Sequence, residues 1–280
     1  MFFRAEREIN VKVKILSDNI SDGAAQGEWG LCIYIEYNNQ KVLLDTGASE
    51  LFVHHAKSFG INLKDVNIAV LSHAHSDHAN GMNEFFRKNE KAMFYLRESV
   101  GENCYVKKTI FHKYIGIPKG ILKQYSDRII YVSGDYKICD GIYLIPHKSP
   151  GLENVGKREN MYIRKERTWL PDNFSHEQSL VFDSEKGLVI FNSCSHGGAS
   201  TIINEIKLTF PDKHVYALIG GFHLFNKTEK EIRDFAAEIR GTGINYICTG
   251  HCTGIKAYDI LQDELGEVMH QLHVGLSIEF

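Results

Sequence analysis

The chain has 280 residues, 43% hydrophobic and 24% charged, with only five prolines; this is globular composition and excludes collagen-like, low-complexity and membrane-embedded classes. A formal net charge of -3 at pH 7 gives no overall attraction to nucleic acid or anionic lipid, so neither is expected as a partner. Charges within Met1-Phe2-Phe3-Arg4-Ala5-Glu6-Arg7-Glu8 leave no apolar stretch for a secretory leader, and no run approaches the roughly 18 apolar residues of a membrane span. A cytoplasmic location is expected, with the six scattered cysteines reduced.

In chain order, short apolar and β-branched runs predict strands over 11–16, 31–37, 41–44 and 68–71. Helices are predicted over 50–59, where Leu51, His55 and Phe59 recur at fourfold spacing, and over 80–89. His54 and His55 point in different directions on such a helix, which suits a surface position. The second half continues with strands over 129–132, 142–145, 179–182, 188–192, 214–219 and 246–249, and helices over 201–210, 227–241 and 253–265. Gly241 and Gly266 stand where helix C-termini favour glycine. Residues 97–128 and 147–175 carry the weakest regular signal and read as excursions from the scaffold, expected to cap the active site. No repeat or linker divides the chain, so one α/β domain over 1–280 is expected.

The strand over 68–71 runs into Ser72-His73-Ala74-His75-Ser76-Asp77-His78, which sets four metal-ligand side chains within six residues. After a strand, His73 and His75 can turn to one side and grip one cation through imidazole nitrogen, leaving Asp77 and His78 to face a second. Two ions about 3.5–4 Å apart clamp the attacking and leaving oxygens of a hydrolysis, with a bridging hydroxide as nucleophile.

Further strands end in Asn192-Ser193-Cys194-Ser195-His196-Gly197-Gly198 and Cys248-Thr249-Gly250-His251-Cys252. At those positions His196 and His251 have little core to pack in and suit ligation. His223, in Gly220-Gly221-Phe222-His223-Leu224, suits a ligand or substrate contact as well as a satisfied core histidine. His176 precedes a strand and is a weaker ligand candidate, while His112, His147, His214, His270 and His273 have no partner at ligand spacing and read as structural. Arg164, Lys165, Arg167 and Trp169, preceded by Lys157, Arg158 and Tyr162, suit either a lid that pairs with substrate phosphate or a solvated loop. No phosphate loop of the Walker or dinucleotide type and no Gly-x-Ser-x-Gly elbow is present.

Leu43-Leu44-Asp45-Thr46-Gly47 followed by the His-x-His-x-Asp-His run resembles the metallo-β-lactamase superfamily in order and spacing. With the motifs at 190–198, 219–224 and 248–254, nearly the whole chain resembles the dihydropterin-ribofuranosylaminobenzene phosphate synthase-like branch. The resemblance implies a four-layer αββα sandwich of two mixed sheets with helices outside and metals at one edge. It implies two divalent metal ions, zinc first and iron or manganese as alternatives, one held by His73, His75 and His196 and the other by Asp77, His78 and His251. Asp45 would orient a ligand histidine from behind. Where the superfamily carries a bridging aspartate this chain reads Ser193-Cys194-Ser195, so the bridge is hydroxide alone or involves Cys194. Asp77 and His223 are the candidates for handling a proton.

The reading taken from these residues is a binuclear metal-dependent hydrolase acting on a small phosphorylated or ester-like molecule through metal-bound hydroxide. Its alternatives are a transferase of the ribofuranosylaminobenzene phosphate synthase type, joining an aminobenzoate to a phosphorylated ribose, and a di-iron redox or binding protein. Phe94, Tyr95, Tyr105 and Tyr114 suit either a pocket or a homodimer interface.

Overall fold

Alternation along the strands decides which layer each side chain enters. In Cys32–Tyr37, Ile33 and Ile35 join one buried cluster, while Cys32 and Tyr34 join another on the opposite face. Gln40–Leu44 repeats the division, with Val42 and Leu44 on the inner side and Leu43 on the outer. Strands buried on both faces read as continuous apolar runs, which made them legible in the sequence.

The computed structural model describes residues 10–280; residues 1–8, which bear on the leader expectation, lie outside the described residues. Seven strands form the first sheet in the order Ser277–Glu279, Val11–Ser17, Cys32–Tyr37, Gln40–Leu44, Ile68–Val70, Met93–Arg97, Ile129–Val132. Seven form the second: Met269–Gln271, Tyr246–Thr249, Val215–Gly220, Gly187–Phe191, Gln178–Ser184, Ile142–Pro146, Tyr136–Cys139. Each sheet mixes antiparallel pairs with a parallel run. Between them lies an apolar core of Ile33, Ile35, Leu44, Val70, Leu180, Phe182, Val189 and Phe191, each fully buried side chain stabilising by about 1.5–3 kcal/mol.

Helices cover both outer faces. Phe52 of Leu51–Ser58 and Phe85 and Phe86 of Met82–Lys88 pack on Leu43 and Phe94 of the first sheet. On the second sheet, Val181, Ile190 and Leu218 pack with residues of Ala199–Thr209, Glu229–Thr242 and Ile255–Leu265. The expected αββα sandwich is therefore present. Among the described residues no helix is long and apolar enough to cross a membrane.

Three local expectations need correction. The helix placed over 227–241 passes through Gly241 to Thr242 and stops at Gly243, whose φ of 67° is the left-handed cap conformation. His55 is buried with its Nδ1 2.7 Å from the Leu16 carbonyl oxygen, so it belongs to the core. The stretches 97–128 and 147–175 are not irregular excursions: they supply a third sheet, Thr168–Pro171, Met161–Lys165, Cys104–Lys107, His112–Tyr114. Its strands are three to five residues long and half-exposed, and the pair that joins its hairpins, Cys104 with Ile163, is far apart in sequence, so local periodicity carries little of it. That sheet is tied to the histidine loop through Ser76 N–H, which donates to the Ile115 carbonyl at 2.7 Å.

Candidate metal centre and substrate pocket

Parallel strands deliver the chemistry to one edge. Phe191 pairs with Ile219 and Ile219 with Cys248, so Gly187–Phe191, Val215–Gly220 and Tyr246–Thr249 end level with one another. Their following turns carry Cys194 and His196, His223, and His251. Across the sandwich Leu44 pairs with Val70, setting Asp45 beside the start of the His73–His78 loop. Open α/β sheets place ligands at the carboxyl ends of strands for this reason.

Asp45 organises the loop from below. Its Oδ1 accepts the Ser72 N–H at 2.7 Å, and its Oδ2 accepts Ser72 Oγ at 2.7 Å and Ser193 Oγ at 2.6 Å and lies 2.8 Å from His78 Nδ1. A carboxylate only accepts, so His78 carries its proton on Nδ1 and turns the Nε2 lone pair toward the site. Ser72 spends its one hydroxyl proton on Asp45, so His73 Nδ1, 2.8 Å from Ser72 Oγ, is the donor there and His73 Nε2 is left as an acceptor.

Four histidines then present buried ring nitrogens that have no hydrogen-bond partner: His73 Nε2, His75 Nε2 and both nitrogens of His196 and His251. Buried polar atoms are paired almost everywhere in folded proteins, and a cluster of facing lone pairs is what cation coordination satisfies. Burial pushes His73 and His196 well below the usual imidazole range, with the neighbouring histidines adding to it. His75 is driven down to about 3, chiefly by burial and then by His176. Asp77 Oδ2 lies 3.7 Å from His78 Nε2 and 3.4 Å from His251 Nε2; burial opposes its charge, but His78 and His251 outweigh that and hold its carboxyl below the usual range. The donor set fits divalent metal: His73, His75 and His196 are held neutral beside an ionised Asp77, while burial opposes a charge on His251 but Asp77 and Cys252 raise it to about 9, a proton that a bound cation would displace.

The candidate ligands divide into two groups. Ligand atoms of His73, Cys194 and His196 lie within 4.8 Å of one another, as do those of His78, Cys194 and His251. Asp77 adjoins the second group. His75 differs from the expectation: its close group is Cys104, Asp172 and His176, although its ring stands 4.6 Å from that of His73 and 5.1 Å from that of His196. His176 itself is occupied, with Nδ1 accepting the Ala74 N–H at 3.2 Å and Nε2 3.0 Å from Asp172 Oδ2. It holds the loop between His73 and His75 in place.

Sequence reasoning missed several supports. Glu177 accepts the His196 N–H at 3.1 Å and lies 2.8 Å from His147 Nε2, whose Nδ1 is 3.3 Å from Glu205. Burial opposes a charge on His147, but Glu177 and Glu205 raise it to about 9, and the same contacts hold Glu205 down at about 2 against its own burial. Asp18 is wholly buried near His251, and burial raises it to about 7 against the pull of that histidine. Phe174 stacks on His196 with ring centroids 4.4 Å apart. None of these residues stands at ligand spacing, so only their shared three-dimensional neighbourhood identifies them.

Above the donors lies a pocket of about 370 Å³ reached by His75, Asp77, Cys194, His196, His223 and Cys252. Its walls are Trp29 and Phe225, which meet edge to face at 5.8 Å. The third sheet adds Val106, Ile115 and Met161, and at the rim Lys108 and Lys113. The four residues expected to contact substrate lie elsewhere on that sheet. Arg164 stands over Trp169 at 5.4 Å, Trp169 stacks on His112 at 3.8 Å, and Arg164, Lys165 and Arg167 are exposed. Hairpin pairing of Arg164 with Trp169 turns that cluster inward on itself, and none of the four lines the pocket. Trp29 and the two lysines carry no motif; Trp29 is set by Gly30, where a Cβ would meet Ala48 N at 2.5 Å and Asp77 O at 2.7 Å.

Residues 30–135 match the model of a family described as the metallo-beta-lactamase superfamily. Over 97% of each chain, this one is 27% identical to a protein of Methanocaldococcus jannaschii named 7,8-dihydropterin-6-methyl-4-(beta-D-ribofuranosyl)-aminobenzene-5'-phosphate synthase. A second protein of that organism, described as uncharacterized, is 26% identical over 95% of this chain and 99% of its own. Among solved structures, that of Tm1679, described as a metal-dependent hydrolase of the beta-lactamase superfamily, superposes with a TM-score of 0.81 at 25% identity, covering 96% of this chain and 99% of that one. The expectation of a hydrolase acting through metal-bound hydroxide is corrected by the synthase, a full-length relative whose name specifies a product made by joining groups. A shared fold and donor set do not fix the reaction.

Proposed function

We propose that this chain, which belongs to the metallo-β-lactamase superfamily, is a metal-dependent enzyme that joins a flat heteroaromatic substrate to a partner bearing a phosphorylated sugar, the kind of product named for its synthase relative. The observation that carries this reading is one pocket that combines a floor of metal donors, an aromatic wall of Trp29 and Phe225, and a cationic rim of Lys108 and Lys113. Two divalent cations suit the floor, one near His73, His75 and His196 and one near Asp77, His78 and His251, with zinc first by the preference of imidazole. Bound there, they supply Lewis acidity toward anionic substrate oxygens.

The chain's own groups do the rest. Trp29, half exposed, offers a face on which a planar ring stacks. Lys108 and Lys113 attract a phosphate to the mouth and orient the substrate that carries it. His223 sits with its ring 4.6 Å from His196, and burial holds it below the usual imidazole range against the pull of Glu159. It is therefore neutral near pH 7 and able to take the proton that the attacking substrate sheds as the activating group on the other substrate's carbon departs with its bonding electron pair as an anion. Asp77 is committed to His78 and His251 and serves as a donor to the metal rather than as a free base. Val106, Ile115 and Met161 give the pocket apolar walls, which keep water out and favour transfer to a second substrate.

The test is to offer the metal-loaded protein a dihydropterin activated at its 6-methyl group together with a (ribofuranosyl)aminobenzene phosphate, and to read products by mass. Coupled product that vanishes when either component is left out supports the reading. Cleavage of one component by water, with no coupled product, sinks it.

A further inference from the structure

Two thiols share the floor of the pocket. Cys194 Sγ and Cys252 Sγ stand 3.5 Å apart, and of the six cysteines these two line the pocket. Cys32, Cys104 and Cys248 are buried and Cys139 is partly exposed, and none of the four lines it. Parallel pairing of Val215–Gly220 with the strands on either side brings the two turns together. At Gly221 a Cβ would meet Cys252 Sγ at 2.5 Å and the Ser193 carbonyl oxygen at 2.9 Å, so glycine there is what lets the sulfur of Cys252 lie against the turn of Cys194. Each turn is also fixed from its own side. Ser193 Oγ donates to Asp45 and the Ser195 N–H to Asn192 Oδ1 at 2.7 Å, while Cys252 Sγ accepts the His223 N–H at 3.3 Å and the Cys252 carbonyl accepts the Leu224 N–H at 3.0 Å.

We propose that Cys194 and Cys252 form a reversible disulfide, and that this disulfide and a metal at the floor exclude one another. The exclusion rests on the metal-centre reading above; the disulfide does not. A disulfide holds its sulfurs about 2 Å apart, so the pair has about 1.5 Å to close. Closure takes Cys194 Sγ away from its place 3.3 Å from His78 Nε2, among the ligand atoms of both histidine groups. His251 directly precedes Cys252 and His196 lies two residues past Cys194, so the bond also ties together the turns that carry one histidine of each group. A bound cation fixes those same histidines and keeps the sulfurs apart. The oxidant is hydrogen peroxide, which is small enough to enter a pocket of about 370 Å³. The sulfur of one cysteine attacks it, the O–O bond breaks, and a sulfenic acid and one water result. The sulfur of the other then displaces the sulfenic oxygen, which leaves as a second water. Two thiols and one peroxide thus give one disulfide and two waters, with two electrons passing from sulfur to oxygen. A dithiol restores both thiols by exchange.

The test treats the metal-free protein with one equivalent of hydrogen peroxide, alkylates it in denaturant and maps its peptides by mass, beside the same protein loaded with zinc. Cys139→Ser is run in parallel to remove the partly exposed thiol, and Cys252→Ser and Cys252→Ala to remove the partner. In the metal-free wild type and Cys139→Ser, the Cys194 and Cys252 peptides are expected to be joined, lighter by two hydrogens, with zinc uptake lost and both changes reversed by dithiothreitol. Zinc-loaded protein is expected to keep both thiols, and the Cys252 variants to give no joined peptide. The decisive map is read on the wild-type chain, so it stands even if a variant folds poorly. Cys194 and Cys252 both alkylated after peroxide, or joined only to other cysteines, overturn the disulfide. A joined peptide that forms as readily with zinc bound, or in protein that still takes up zinc, overturns the exclusion. Reduced protein that takes up no zinc overturns the metal-centre reading and the exclusion with it, while the peptide map still decides the disulfide.

Discussion

His78 Nδ1 and Asp45 Oδ2 stand 2.8 Å apart with both side chains wholly buried. The same carboxylate accepts Ser72 and Ser193, so one side chain aligns a metal-facing histidine, the start of the His73–His78 loop and the turn that carries Cys194. Asp45→Asn puts an amide N–H where three donors converge, and Asp45→Ala leaves them unpaired. Either change is expected to lower metal affinity by about 10–100-fold, as loss of an outer partner does elsewhere. Competition with a chromophoric chelator checks this.

The unpartnered nitrogens of His73, His75, His196 and His251 make the centre a cost to the metal-free protein. Chelation is expected to lower the thermal midpoint and returned zinc to restore it; at about 1,000 times the dissociation constant, bound metal stabilises by about 4 kcal/mol. His75→Ala and His251→Ala are each expected to reduce bound metal with the far-ultraviolet spectrum unchanged. Full metal retention in both variants would remove the site assignment.

Lys108 and Lys113 line the pocket while Arg164 and Arg167 do not. Lys108→Ala and Lys113→Ala are therefore expected to raise KM for the phosphorylated substrate several-fold each, more at low salt than at high, with kcat nearly unchanged. Arg164→Ala and Arg167→Ala should leave both constants alone. Steady-state kinetics at two ionic strengths separates these outcomes, and a KM effect confined to the arginines would return the phosphate contact to the Arg164–Trp169 hairpin.

His147, buried between Glu177 and Glu205, is raised to about 9, above the ~6.5 of an unfolded histidine. Its charge contributes stability that is fully present below about pH 6.5 and lost as pH rises through about 9. The wild type should lose up to about 3 kcal/mol of unfolding free energy over that window, by the conversion of about 1.4 kcal/mol per pH unit. His147→Gln should start lower and lose little further. Urea midpoints at pH 6 and pH 9.5 provide the measurement, and equal slopes for the two proteins would exclude the buried imidazolium.

The amino-acid sequence alone determined the strand and helix alternation and the close spacing of four candidate donors, while the sandwich followed from the resemblance to the superfamily. Runs such as Leu31 to Tyr37 and Leu188 to Asn192 are apolar because both faces of their strands are buried, and His73, His75, Asp77 and His78 sit within one loop, where spacing along the chain is spacing in space. His196 and His251 were legible as well, because each directly follows a strand end. Tertiary structure alone decided what depends on distant pairings. The third sheet exists through the contact of Cys104 with Ile163, and it brings Lys108 and Lys113 to the pocket mouth in place of Arg164 and Arg167. The buried set of Glu177, His147 and Glu205 comes from three separate segments, as does the position of Cys194 between two histidine groups. Such contacts leave no periodicity or local spacing in the chain, because the packing of the two sheets against each other creates them.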